Sequence, residues 1–206
     1  MASHSYHHGD LRRALLQVAL EAIEEHGPTA LSLRDLARRA GVSHAAPAHH
    51  FGDKPGLLTA LAAQGYDLLA EEVTSAYETS GSLADAGAGY VRFAVDHRAH
   101  FEVMFRPDLY DIDDEELVAA RERAARSLRR SVSGAGGQPP DPPTSDPASL
   151  AAWSLAHGFA ALLVTGNVTA ADPTETFRQV AAAFPLGSAA VEAPSAQASI
   201  RASSSS

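Results

Sequence analysis

The sequence predicts an all-α protein, and three observations carry that prediction. Apolar residues recur at three- and four-residue steps through most of the chain. Gly and Pro punctuate those stretches where helices would end. Sustained alternating runs and Asn-Gly hairpin turns are absent, so nothing reads as strand. The chain has 206 residues, 45% hydrophobic and 20% charged, which is one large domain or two small ones with enough apolar surface for a real core. It has no cysteine. That excludes a disulfide scaffold, a thiol nucleophile, an iron–sulfur cluster and cysteine-ligated zinc, and it fits a reducing compartment.

Residues 1–8 are short and polar and read as a disordered arm. Asp10 is placed to cap a helix whose Leu11, Leu15, Val18, Ala19, Ala22 and Ile23 share a face, and Gly27-Pro28 ends it. Ser32 opens a short helix through Leu33, Leu36, Ala37 and Ala40, closed by Gly41. Ser43 is expected to cap another short piece over 44–50, and Asp53 to begin a long helix over about 54–79. Each serine cap is expected to contribute about 1 kcal/mol. Further helices are expected at about 83–98, 99–106, 114–132, 147–166 and 172–185. Ser133 to Pro147 is too rich in Gly and Pro for helix and reads as a surface loop. Residues 188–206 have little to bury and read as a disordered tail.

No basic stretch followed by an apolar one opens the chain, so no signal peptide is expected. The most apolar window, Gly158 to Val164, is too short to span a bilayer. The expectation is a soluble, cytoplasmic protein without a membrane partner. Formal net charge is −9, yet residues 1–60 balance six basic against six acidic side chains. Seven of the ten histidines also lie there, so partial protonation would tilt that segment positive. The acidic total argues against uniform polyanion binding and leaves room for a local nucleic-acid face.

Ser32 to Phe51 reads as two short helices crossing steeply about a tight turn. Ala37 is small enough for close approach, and Gly41 sits where a Cβ would be penalised. Leu33, Leu36, Val42 and Phe51 supply the buried side, leaving His44, Ala45, Ala48 and His49 as a face suited to a major groove. Taken alone, the Ala-x3-Gly spacing equally describes two ordinary packed helices with a glycine turn.

The wider order decides between them. Tyr6-His7-His8-Gly9-Asp10-Leu11-Arg12, the Ser32–Phe51 segment and Gly52-Asp53-Lys54-Pro55-Gly56-Leu57-Leu58 follow one another at spacings that strongly resemble the tetracycline-repressor (TetR) family of bacterial transcriptional regulators. The resemblance is specific over about residues 6–66 and rests on helix pattern beyond. Trp153-x3-His157-Gly158 resembles the C-terminal domain of one subgroup. The resemblance implies an all-α homodimer. Residues 9–52 would form a three-helix helix-turn-helix head, 53–80 a connecting helix, and 81–187 a helical ligand-binding and dimerisation body. A small-molecule effector in the body would release a palindromic double-stranded DNA operator. No cofactor and no metal are implied.

By that resemblance Ser32 falls on a phosphate-contacting position and Arg34 on one that contacts base or phosphate, where a guanidinium can pair bidentately with guanine. His44, Ala45, Ala46, Ala48 and His49 match groove-facing positions, with the cap residue Ser43 counted among the DNA-binding residues, and Ala45 and Ala46 can touch a thymine methyl. His50 packs or reaches a phosphate. Lys54, the chain's one lysine, would share a phosphate with the start of the fourth helix. Two departures stand out. Position 48 is Ala where the family favours an aromatic, which removes a backbone anchor. Pro47, the fourth helical residue if Ser43 is the cap, would forfeit an early backbone bond and fill an apolar slot. If His44 and His49 face phosphates, lowering pH through about 6.5 tightens DNA binding; neutral, hydrogen-bonded histidines would give no such effect.

In the body, Phe93, His97, Phe101 and Met104 run at helical spacing, and Trp153 and His157 share a second face. These six are the expected pocket lining, although such stripes also build ordinary cores, and Trp153–His157 would serve equally as a packed buried pair. Gly158 would allow close helix approach. His97 and His100 have metal-compatible spacing but no third ligand nearby in sequence. The two last helices are rich in Ala and apolar residues and suit a four-helix dimer interface. Asp111 to Glu116 is acidic, as a helix start should be, and Arg121, Arg123, Arg126, Arg129 and Arg130 complete the dipole pattern. No nucleophile motif, phosphate loop or His-Glu-x-x-His is present, so an enzyme is not favoured. The remaining alternative is a helical small-molecule-binding or interaction protein with a weakened DNA-binding head, which Ala48 and the neutral head charge suggest.

Overall fold

The computed structural model describes residues 8–134 and 147–184. The expected arm before His8, most of the Gly/Pro-rich break and the tail over 188–206 lie outside the described residues. Among those described there are nine α-helices, two single 3-10 turns and no strand. The helices are α1 (His8–His26), α2 (Leu33–Arg39), α3 (Ala46–Phe51), α4 (Lys54–Ser80), α5 (Leu83–Asp96), α6 (Arg98–Met104), α7 (Glu115–Ser133), α8 (Pro147–Val164) and α9 (Pro173–Ala183). The 3-10 turns, Pro28–Ala30 and Pro107–Leu109, follow α1 and α6.

Acidic and hydroxyl caps start four of these helices. Asp53, Ser82, Asp114 and Asp172 accept from the backbone N–H of Gly56, Asp85, Leu117 and Glu175. Such caps contribute about 1 kcal/mol each. Three expected caps differ. Asp10 lies inside the first turn of α1 and accepts from Arg13 at 3.0 Å. Ser32 occupies the cap position of α2, but its hydroxyl makes no capping bond. Ser43 precedes α3 by a turn, its carbonyl accepting from Ala46 N–H at 3.0 Å, and Ala45 takes the cap position. Pro47 therefore sits in the first turn of α3, where its missing N–H costs no helical bond, and it is fully buried.

The α2–α3 turn is held by Val42 N–H to Ala37 carbonyl at 3.0 Å, with Gly41 at φ 66°. Ala37 is completely buried, as close packing requires. Leu15, Ile23, Leu36, Leu57, Leu58 and Leu61 form the fully buried centre of the head. Burying a leucine contributes about 1.5–3 kcal/mol relative to exposure. The head core does not end at α4: Ala99 and Val103 of α6 and Leu117 and Ala120 of α7 complete it. Phe101 and Met104, on the other side of α6, enter a second core with Leu69, Phe93, Phe159 and Phe177. One seven-residue helix thus belongs to both.

Backbone approach at α4 depends on two absent Cβ atoms. A Cβ at Gly56 would meet the Phe51 carbonyl oxygen at 2.0 Å, and one at Gly65 would meet Met104 Sδ at 2.5 Å. Gly158, expected to allow close approach, instead has nothing within 4 Å of where its Cβ would lie. Also contrary to the sequence reading, α8 is long and apolar enough to cross a membrane by length and composition. Ala152, Ala156, Phe159 and Ala160 seat one of its faces in the bundle. Leu150, Trp153 and Leu162 of the same helix stay exposed, Leu150 and Trp153 on the flank that borders the body cavity, and Phe184 beyond α9 is 60% exposed.

Candidate functional site

On the head, Ser32, Arg34, Ser43, His44, Ala45, Ala48 and His49 are exposed, while Ala46, His50 and Lys54 are half-buried. The exposed residues lie along the start of α2, the turn and α3. The cations of this region are unequal. Arg38 is bonded to Asp35, and Arg39 bridges Asp35 at 2.7 Å and Glu25 at 2.8 Å. These two guanidiniums hold the Asp35 carboxyl below the usual carboxylate range. Arg34 has no described ion-pair partner. It is the cation of this surface that a nucleic acid would find uncommitted.

Lys54 begins α4, as expected, and is engaged within the head. Its ammonium donates to the Thr29 carbonyl at 2.6 Å, tying α4 to the turn after α1. Asp53 already caps that helix end, so an anion there would meet a carboxylate. His50 turns from the surface too. Its ring lies 5.5 Å from that of His49 and 6.2 Å from Phe51, and it lines a cleft with Arg12 and Asp53.

The body holds a cavity of about 590 Å³, open on one side, between α4, α5, α7, α8 and α9. Tyr66, Leu69 and Val73 of α4 line one wall, Leu83, Gly87 and Tyr90 of α5 a second, and Ala124, Ala125 and Leu128 of α7 a third. Trp153, Leu155, Phe177 and Phe184 close the rest. The walls are mostly apolar with few polar groups, the composition of a small-molecule site. Of the six expected residues, Trp153 alone is part of this lining. Phe93 and Met104 are fully buried in the second core behind it. His97 packs between Phe93 and His100, at centroid distances of 5.6 and 5.8 Å. Phe101 and His157 stand behind Tyr90 and Phe105, stacked on each other at 5.4 Å. Helical spacing identified an aromatic stripe; it could not say which side of the stripe was filled.

Two features escaped the sequence reading. The Tyr90 hydroxyl lies 2.9 Å from His157 Nδ1. Burial pushes the Tyr90 phenol up and the His157 imidazole down, so a protonated phenol meets a neutral ring. The other is Arg121, which sequence logic assigned to the helix dipole. It lies in the first half of α7 and faces the cavity with Ala124, Ala125 and Leu128, the i, i+3, i+4, i+7 row that could have revealed it. Its Nη2 donates to the Tyr110 hydroxyl at 3.2 Å, and its guanidinium lies 5.5 Å from the Tyr66 ring centre and 5.8 Å from that of Tyr110. Tyr110 in turn donates to the Met104 carbonyl at 2.6 Å, at the end of α6.

Comparison with known proteins follows the same division. A family model described as bacterial regulatory proteins, tetR family, matches residues 15–61. A second, described as a tetracyclin repressor-like C-terminal domain, matches residues 83–184. The HTH-type transcriptional regulator BetI of Agrobacterium fabrum is 47% identical over 47 residues, 23% of each chain, so the match spans about a quarter of that curated relative. A solved protein of unknown function from Rhodococcus sp. RHA1 is 32% identical, with a TM-score of 0.69 over 88% of this chain and 97% of that one. The TetR family transcriptional regulator PfmR from Thermus thermophilus shares the fold, at 21% identity and TM-score 0.59, over 81% of this chain and 93% of that one. Head and body matches lie in the order the family requires and together cover most of the chain, which therefore belongs to the TetR family of bacterial regulatory proteins.

Proposed function

We propose that this chain is a ligand-responsive transcriptional regulator, a repressor that binds a palindromic operator as a homodimer and is released by a small molecule. The observation that carries this reading is the exposed face of α3 beside Arg34, presented by a turn that glycine at position 41 permits. One short helix spans few base pairs, so operator selectivity calls for two heads roughly 34–36 Å apart. Leu162 of α8, exposed and outside the cavity lining, together with the apolar composition of α8, supports pairing through the last helices. An effector in the body reaches the head through α6, which packs in both cores. The reading carries no catalytic step and no resident cofactor, and it puts the protein in the cytoplasm.

The test is fluorescence anisotropy with DNA from the chain's own upstream region across a salt series. Binding that is sequence-selective and weakens steeply with salt supports the reading. Ala48 and the engaged Lys54 favour the second reading, a ligand-binding protein with a weakened head. The absence of any selective shift favours that one.

A further inference from the structure

Two arginines line the body cavity, and they differ in one respect. Arg178, near its α9 end, is neutralised: it bonds Asp85 at 2.6 Å and Glu175 at 3.4 Å. Arg121 has no carboxylate in ion-pair range among the described residues. Its described partners are the hydroxyls of Tyr110 and Tyr66 and the faces of those two rings, all neutral groups. The other arginines of α7 are all paired: Arg123 with Asp67, Arg126 and Arg129 with Glu122, and Arg130 with Glu78. Hydrogen bonds to two phenols hold this guanidinium in place but leave its charge without a counter-charge, which an anion entering the cavity would supply.

We infer that the cavity takes a monoanionic amphipathic ligand, a carboxylic acid with an apolar tail, its carboxylate held by Arg121 and its tail running along α4, α7 and α8. One guanidinium balances one negative charge and matches the fork of a carboxylate. A multiply charged head such as a diphosphate would leave charge uncompensated among the Ala, Leu and Tyr side chains that surround it. Tyr66, Leu69, Leu128 and Trp153 offer apolar surface to the tail. Arg121 is also one bond removed from the Tyr110-to-Met104 link at the end of α6, so engaging it acts on the helix that shares the head core. That last consequence rests on the regulator reading above; ligand binding itself does not.

Isothermal titration of the full-length chain with decanoate and with decanol separates these. Decanoate is expected to bind one per subunit at least about tenfold more tightly than decanol. Arg121→Gln should abolish that preference, and Arg121→Lys should retain part of it. Equal affinity of the wild-type chain for acid and alcohol overturns the inference, as does an unchanged preference in Arg121→Gln. If Arg121→Gln fails to fold, the wild-type comparison and Arg121→Lys still decide. Decyl phosphate is the third probe: binding tighter than decanoate overturns the monoanion assignment. Because no DNA is present, failure here leaves the regulator reading intact. Failure of that reading would show instead as decanoate binding with no operator binding.

Discussion

Arg34 and Arg38 lie one turn apart on α2, yet Arg38 is held by Asp35 while Arg34 is not. Removing Arg34 should therefore act on DNA and not on the fold. Arg34→Ala is expected to weaken operator binding about tenfold or more, in line with the ~1–3 kcal/mol of a good bidentate contact, with almost no change in Tm. Arg38→Ala should show a smaller loss, both measured by anisotropy. His100 makes the opposite kind of prediction. It is buried, with its Nε2 3.3 Å from Gln64 Oε1. Burial, with His97 adding to it, lowers its pKa to about 4. Because the folded value lies below the unfolded one, the unfolded chain binds the proton first as pH falls. Stability is then complete above about pH 6.5 and is lost on the way down to about 4. Between pH 7.5 and 5 the loss from this group is of order 2 kcal/mol. Urea unfolding of wild-type and His100→Gln at both values should show that component only in the wild type.

At the scale of elements, the legible features were those with a strong periodic signal. All nine described helices were anticipated, and their interiors fall where the apolar spacing placed them. Cap chemistry was less legible. A serine before an apolar run signals a helix start, but the hydroxyl bonds only if the turn aims it, and Ser43 is a turn too early. The sequence also could not separate core from cavity, because Phe93 and Trp153 present the same apolar periodicity while only one faces the void. Close approaches were misassigned for a related reason. Gly158 meets nothing, whereas Gly56 presses on the Phe51 carbonyl, a contact between elements that spacing does not encode. Gly56→Ala should accordingly cost several times the ~1 kcal/mol by which Ala normally favours a helix, with the sign reversed. A calorimetric Tm well below wild type confirms the contact; an unchanged or raised Tm refutes it.

The whole molecule joins the proposed DNA-facing surface to the proposed effector cavity through shared helices, and exposed apolar side chains on α8 have pairing as their proposed use. Leu162 is exposed, outside both buried cores and outside the cavity lining, so charge there probes assembly without altering the cavity. Leu162→Glu is expected to shift the particle from dimer towards monomer by light scattering, and to reduce operator affinity in step. A dimer that persists with full affinity would move the interface elsewhere. If α3 reads DNA as one of a two-fold pair, selection of bound duplexes from a random-sequence pool by the full-length chain should enrich an inverted repeat with half-sites about one helical turn apart. Failure to enrich any sequence, or enrichment of a single asymmetric site, would contradict that reading.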